Sequence, residues 1–200
     1  PQKGRDLYSF VMPESLRPDP VSYLKGRVLD RKTGRQLKAS YELINLGTKR
    51  TVIQSQTDAQ GNFLVCLPSG HNYGINVSNE AYLFYSENFM LEGEHSSLEP
   101  FEKTILLSPI MVGEQMNLHN VFFSFDSWEL REESMPELAK LFNLLKANPG
   151  LTVEIGGHTD STGSYEHNML LSEKRALVVS DCLIKRGLAA EPFKHPGYCS

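Results

Sequence analysis

The chain has few cysteines, no long apolar run and no cluster of basic residues. Its three cysteines, Cys66, Cys182 and Cys199, are too few and too widely spaced to predict a disulfide framework or a zinc site. No window holds the roughly 20 apolar residues that a membrane-spanning helix requires. Lysine and arginine are scattered and the net charge is −4, so we expect no nucleic-acid partner. The composition is that of a globular protein of one large or two modest domains.

Residues 1–19 are dominated by proline and polar residues, which predicts a linker or the end of an upstream domain. Because the chain begins at Pro1 rather than at methionine, we expect it to be a processed or excised piece of a longer protein. Within this segment, residues 5–19 resemble the closing strand of a β-propeller repeat. The resemblance implies a propeller upstream.

Between residues 20 and 108, apolar and polar residues alternate in short stretches, most clearly in 41–46 and 73–77. Turn sequences such as 30–34 and 57–62 separate these stretches. Strands are expected at 21–29, 38–46, 50–57, 62–67, 72–78, 82–86 and 101–107. About seven short strands with frequent turns predict a β-sandwich.

The turns of this region also contain a set of spaced motifs: Gly26 to Asp30 with Thr33-Gly34, Thr57 to Phe63, and Gly70 with Tyr73. The set resembles the carboxypeptidase-regulatory-like, transthyretin-type sandwich, a resemblance of fold that implies no activity. No catalytic cluster accompanies it. His71 and His95 lack partners at metal-ligand spacing and are interpreted as surface loop histidines.

After a connector at 109–118, the pattern changes to alternating strands and helices over 119–200. A strand is predicted at 121–125. Ser134 and Glu137 have the spacing of a capping box at the start of a helix. A second strand is predicted at 151–156, followed by a glycine-rich turn and a helix from about 164 to 187. A further strand is indicated near 197–199, so the class is α+β overall.

Asp160 and Arg175 place one acid and one base at the mouth of this strand-loop-helix unit. Such a pair suits a ligand that carries both an ammonium and a carboxylate. Considered alone, however, such residues more often have ordinary roles, with Asp160 capping a turn and Arg175 forming a surface ion pair. His158 has no evident third ligand beside it and is interpreted as structural.

A series of motifs favours the first interpretation: Phe123-Ser124-Phe125-Asp126-Ser127, Leu130, Gly157-His158-Thr159-Asp160, Gly163, Asn168, Leu171-Ser172, Arg175-Ala176 and Gly187. Together these residues resemble the OmpA-like peptidoglycan-binding domain. The resemblance implies an α/β sandwich, βαβα, whose mixed sheet carries helices on one face. It also implies a further helix and strand beyond Ser200. Trp128 departs from the family, which more often has a small or polar residue there.

The same resemblance implies the roles of the site residues. In the family, the residues at the positions of Asp160 and Arg175 grip the diaminopimelate of the peptidoglycan stem peptide. Residues that the resemblance places in the same pocket are Phe125, Asp126, Ser127, Thr162 and Leu171, and Asn168 is expected to fix the loop-helix junction.

The predicted function is therefore non-covalent, non-catalytic attachment of an envelope protein to peptidoglycan, with no cofactor and no metal. Its expected location is the periplasmic face of the outer membrane, where a parent protein would be lipid-anchored or otherwise exported. Other envelope or secretion-complex proteins are expected partners.

Two alternatives remain open at this stage. One is a cell-wall or ester hydrolase using Asp126, His158 and Asp160, although no nucleophile-elbow or zinc motif is present. The other is a pure protein-interaction module.

Overall fold

The computed structural model describes residues 10–13, 20–93, 95–96, 98–159, 164–189, 193–194 and 197–199. The elements are β1 (Val21–Asp30), β2 (Ser40–Asn45), β3 (Arg50–Gln56), β4 (Asn62–Pro68), β5 (His71–Ser78), β6 (Tyr85–Leu91), β7 (Phe101–Leu107), α1 (Met135–Ala147), β8 (Val153–Glu154), β9 (Gly157–Thr159), α2 (Tyr165–Lys185), β10 (Phe193–Lys194) and β11 (Gly197–Cys199). The α+β class predicted from the sequence is confirmed.

The first seven strands form two sheets, in the orders β4-β1-β7 and β3-β2-β5-β6. All pairings are antiparallel except that of β1 with β7. Alternate side chains of both sheets meet in one core, as Leu24 and Val28 of β1 do with Leu43 and Ile75. Two sheets around a shared core are the predicted sandwich architecture.

One strand of the sandwich lies later in the chain than predicted. A strand was expected at 82–86, but β6 begins only at Tyr85. Tyr82 instead donates its hydroxyl to Asp30 over 2.7 Å. That hydrogen bond, with the backbone amides of Thr33 and Lys32, lowers the pKa of Asp30 to about 2. Tyr82 thus stabilises the turn after β1 and does not belong to strand β6.

Helix α1 begins where the sequence predicted, directly after Ser134, but it lacks the predicted N-terminal cap. The side chain of Ser134 makes no capping hydrogen bond. Its hydroxyl accepts from the amide of Phe122 at 2.8 Å and donates to the same residue's carbonyl at 2.9 Å. Glu137, the other half of the expected box, is buried against the sandwich. Tertiary contacts have therefore displaced the local motif.

The strands of the second half are shorter than predicted. Residues 121–125 form no strand and contribute one bridge, between Phe123 and Leu130. The strand expected at 151–156 is only the two-residue β8, and a further strand, β9, lies where a glycine-rich turn was expected. β8 and β9 pair in parallel with β10 and β11. The predicted final strand near 197–199 is confirmed as β11. Helix α2 also has its predicted bounds, with the Ser164 side chain accepting from the amide of His167 at 3.2 Å.

The side chains of isolated cysteine and histidine residues differ in part from expectation. Cys182, which its place on the apolar face of the second predicted helix predicts to be a buried thiol, is only half-buried beside the core of the second half. His71 begins strand β5 rather than lying in a loop. Neither of the described helices is both long and apolar enough to cross a membrane.

The two halves pack together through polar and apolar contacts on the four-stranded sheet. Ser86 of β6 donates to the Glu137 carboxylate at 2.9 Å. Lys140, one turn along α1, pairs with Glu42 of β2 at 3.0 Å. Phe84, just before β6, is buried in the core of the second half. Helix α1 is therefore held on the sandwich by both polar and apolar contacts.

We expect Glu137→Gln to stabilise the protein at neutral and alkaline pH. Burial raises the pKa of the Glu137 carboxyl, against the opposing effects of Ser86 and Lys140. A carboxyl with a raised pKa adds stability when protonated, and this contribution is lost as pH rises through the folded pKa. Removing the buried charge should contribute roughly 1 kcal/mol at pH 8. Thermal melts at pH 5 and pH 8 should show a larger gain for the variant at pH 8.

Glu80→Gln is the matched control for this prediction, because Glu80 is exposed and the described part of the chain gives it no hydrogen bond. Equal melting shifts for the two variants, or no shift for Glu137→Gln at either pH, would contradict the role assigned to burial.

Candidate functional site

The turn formed by residues 125–127 is one wall of the candidate site. It lies between the bridged residues Phe123 and Leu130. Asp126 has φ of 48°, a left-handed conformation that is uncommon for residues other than glycine. Phe125, beside it, is fully exposed. A strained residue next to an exposed aromatic is typical of a functional turn rather than of a packing element.

Helix α2 supplies the facing wall. His167, Leu171 and Arg175 recur at i, i+4 and i+8 and so share one face of the helix. His167 Nε2 lies 2.7 Å from Asp126 Oδ1. This contact joins the first turn of α2 to the strained residue of the opposite wall.

Arg175 makes the second link between the two walls. Its Nε donates to the carbonyl of Ser127 at 2.9 Å, and its guanidinium carbon lies 5.0 Å from the ring centroid of Phe123. Stacking on an aromatic face and a backbone hydrogen bond both restrict the guanidinium. Arg175 is thus positioned at the rim of the turn rather than extended into solvent.

Strand β9 approaches the middle of the same helix. A Cβ built on Gly157 would lie 2.0 Å from the carbonyl oxygen of Ser172. Only glycine allows two backbones to come this close. β9 therefore packs directly on α2 within one turn of Arg175, and the sequence continues from Thr159 into Asp160.

The structure brings together four of the predicted site residues: Phe125, Asp126, Ser127 and Arg175. Leu171 and Asn168 lie on α2 with relative exposures of 8% and 4%, so both are part of the helix's buried side. Asp160 and Thr162 lie outside the described residues.

Sequence reasoning missed two residues of this site, His167 and Phe123. The signal that could have found His167 is the helical repeat it forms with Leu171 and Arg175. Phe123 was quoted as part of a motif, but its contact with Arg175 joins residues far apart in sequence and could not be read from spacing.

The arrangement offers little support for a hydrolytic centre. Among the described residues, Asp126 pairs with His167, which is not one of the three residues that the hydrolase alternative used. The described residues also hold no group of three or more His, Cys, Asp or Glu side chains placed to bind a metal ion. The described residues place the fixed guanidinium of Arg175 beside a turn that carries the exposed ring of Phe125, and both groups could contact a ligand.

Residues 122–198 match the OmpA family. The chain is 34% identical over 76 residues to the peptidoglycan-associated lipoprotein of Legionella pneumophila, covering 38% of this chain and 43% of that protein. It is 37% identical over 65 residues to outer membrane porin F of Pseudomonas aeruginosa, covering 32% and 19%. The match thus spans less than half the length of either curated relative.

A solved structure of the peptidoglycan-associated lipoprotein from Burkholderia pseudomallei is also similar. It shares 30% sequence identity over 38% of this chain and 65% of that chain, with a TM-score of 0.37. The family match lies in the second half of the chain. The matches to the two lipoproteins each cover 38% of the chain.

Proposed function

We propose that this chain, whose residues 122–198 form an OmpA-like domain homologous to peptidoglycan-associated lipoproteins, binds peptidoglycan non-covalently and anchors a larger envelope protein to the cell wall. The observation that carries the proposal is the position of Arg175. Within the region that matches the family, its guanidinium is fixed against Ser127 and Phe123 at the rim of an exposed turn.

The ligand that suits this site is the diaminopimelate residue of the stem peptide. Diaminopimelate carries an ammonium and a carboxylate on its side chain, and Arg175 can bind the carboxylate through paired N–H donors. Asp160 would pair with the ammonium. Each charge-assisted bond contributes roughly 1.5–3 kcal/mol. Two such bonds with additional contacts would give a dissociation constant in the micromolar range.

Non-covalent binding fits the chemistry better than cleavage does. Asp126 is engaged with His167, and the sequence offers no nucleophile motif beside it. The curated relatives named above include a peptidoglycan-associated lipoprotein, which agrees with an anchoring role. We therefore propose that the chain is not an enzyme.

The wider setting is part of the same proposal. The domain order that the sequence resemblances imply, a propeller, a carboxypeptidase-regulatory-like sandwich and an OmpA-like domain, is similar to that of PorE, the peptidoglycan-binding lipoprotein of the type IX secretion machinery. The sandwich would then be a spacer or a docking surface for other envelope or secretion-complex proteins. The chain would lie at the periplasmic face of the outer membrane.

Calorimetric titration of the full chain with the tripeptide L-alanyl-D-glutamyl-diaminopimelate tests the function. We expect saturable binding in the micromolar range, because two charged ends of the ligand are matched. The same tripeptide with lysine in place of diaminopimelate is the control, since it keeps the ammonium but lacks the side-chain carboxylate. Equal affinity for both peptides, or none for either, would contradict the proposal.

The same samples distinguish an anchor from a hydrolase. Purified muropeptide incubated with the chain should be recovered intact by chromatography. New products would favour the hydrolase alternative and overturn the anchoring assignment.

A further inference from the structure

Helix α2 exposes an apolar stripe beside the candidate site. Leu170 and Leu177 are 51% and 45% exposed, and Lys174 lies between them on the same face, at i, i+4 and i+7. Trp128, 44% exposed, covers Lys174 from the neighbouring turn. We call these four residues the α2 rim. A surface helix ordinarily places polar residues on such a face, so two exposed leucines and an exposed tryptophan around one lysine favour contact with a ligand or partner.

The centre of the α2 rim is a cation held on an aromatic ring. Lys174 Nζ lies 3.9 Å from the ring centroid of Trp128. Within the described part of the chain, no carboxylate lies within ion-pair distance of Lys174. The rim therefore combines a flat apolar surface with a positive charge that no ion pair neutralises. This combination fits a ligand with an apolar face and a nearby carboxylate.

The α2 rim is continuous with the site of the proposed function. Lys174 and Trp128 directly adjoin Arg175 and Ser127 in sequence, and the latter pair are hydrogen-bonded. A ligand held at Arg175 would therefore have its next groups beside the rim. A separate partner bound to the α2 rim would compete with that ligand for the same surface.

We propose that the α2 rim is a second subsite, which binds the N-acetylmuramic acid end of the stem peptide. This inference rests on the proposed function. Two residues separate the sugar from diaminopimelate, and an extended chain of two residues spans about 7 Å. One turn of α2 rises about 5.4 Å, so the sugar end reaches from Arg175 to the rim. The methyl groups and ring face of the sugar would contact Trp128 and Leu170, and Lys174 would meet the glutamyl carboxylate.

Trp128 is the single tryptophan of the chain, so its fluorescence reports on the rim directly. The test titrates the full chain with the tripeptide of the previous section and with the same tripeptide carrying N-acetylmuramic acid. We expect the muramyl tripeptide to change Trp128 emission and to bind about fivefold to tenfold more tightly by calorimetry. The plain tripeptide should bind with a smaller change in emission.

Variants separate the rim from the rest of the site. Trp128→Ala should remove the preference for the muramyl tripeptide and keep the affinity for the plain tripeptide within about twofold, which also shows that it folds. Lys174→Gln should weaken both peptides by a similar factor, because both carry the glutamyl carboxylate, and should leave the preference largely in place. The matched control is Lys146→Gln, because Lys146 lies over Phe142 on α1 in the same kind of contact, 5.6 Å from the ring centroid. It should leave both affinities unchanged.

The outcomes that overturn the inference are distinct from those that overturn the function. Binding of both peptides with equal affinity, or an unchanged preference in Trp128→Ala, would overturn the subsite alone. Absence of binding by either peptide would overturn the anchoring function and the subsite with it. A change in Trp128 emission with protein concentration, without ligand, would assign the rim to a second copy of the chain instead.

Discussion

Gly157→Ala is expected to destabilise the second half of the protein by about 3 kcal/mol or more, the upper end of what overpacking costs. The added Cβ would lie 2.0 Å from the carbonyl oxygen of Ser172 and 2.8 Å from its carbonyl carbon. Both atoms belong to the backbone of α2, so no side-chain rotation can relieve the contact. Strand β9 would have to move away from the helix. A large fall in the melting temperature of this half should result.

Gly150→Ala is the matched control in the same half of the chain. A Cβ on Gly150 would meet nothing within 4 Å, and its backbone has no positive φ. The same change there should alter stability by less than about 1 kcal/mol, in either direction. Chemical denaturation of both variants, followed by circular dichroism, measures the difference. A Gly157→Ala variant as stable as Gly150→Ala would show that β9 and α2 are not in backbone contact.

The consequence of Gly157→Ala for binding follows from the order of the chain. β9 ends at Thr159, and Asp160 is the next residue. A strand moved off α2 would carry Asp160 away from Arg175 in the proposed clamp. We therefore expect the tripeptide affinity to fall together with stability in this variant, whereas Gly150→Ala should retain both.

The sandwich could be predicted well from sequence because its strands depend on local patterns. Alternation of apolar and polar residues identifies a half-buried strand without reference to its partners. The exception is the strand expected at 82–86, which begins only at Tyr85. Tyr82 instead forms a hydrogen bond with Asp30, a residue far from it in the chain. Alternation can mark a candidate strand, but it cannot show that a hydroxyl is needed elsewhere.

The second half was harder to predict because its elements depend on contacts between distant segments. β8 and β9 are two and three residues long, and their partners in the described part of the chain are strands that follow α2. The capping box was wrong for the same reason, since Ser134 bonds Phe122 and Glu137 bonds Ser86. Helix bounds were better predicted, because periodicity and terminal residues are local signals.

The candidate site was predicted mainly through its family resemblance. Spacing alone left Asp160 and Arg175 open between a clamp and an ordinary ion pair. The structure adds the contacts of Arg175 with Ser127 and Phe123 and the pairing of Asp126 with His167. These contacts connect α2 with the turn across about forty to fifty residues of sequence, so only a folded structure could reveal them.

Arg175→Ala is expected to weaken tripeptide binding at least tenfold. One charge-assisted hydrogen bond contributes roughly 1.5–3 kcal/mol, and a tenfold change in affinity requires about 1.4 kcal/mol. Arg131→Ala is the matched control, because Arg131 lies in the same half and pairs with Glu133 at the surface. Calorimetry should find the Arg131→Ala affinity unchanged. Equal affinity of Arg175→Ala and the unmodified chain would overturn the site assignment.

Arg175 also links the two walls, so loss of binding could arise from a displaced turn rather than from a missing ligand contact. The lysine-containing tripeptide resolves this ambiguity, because it lacks the carboxylate that Arg175 is proposed to bind. If the guanidinium contacts that carboxylate, Arg175→Ala should weaken the diaminopimelate peptide and leave the already weaker lysine peptide nearly unchanged. The two changes would then be strongly non-additive, as expected for groups in direct contact. Additive losses would instead assign Arg175 a purely structural role. Asp160→Ala provides the complementary measurement, since it should weaken both peptides by a similar factor of at least tenfold, because both carry the ammonium.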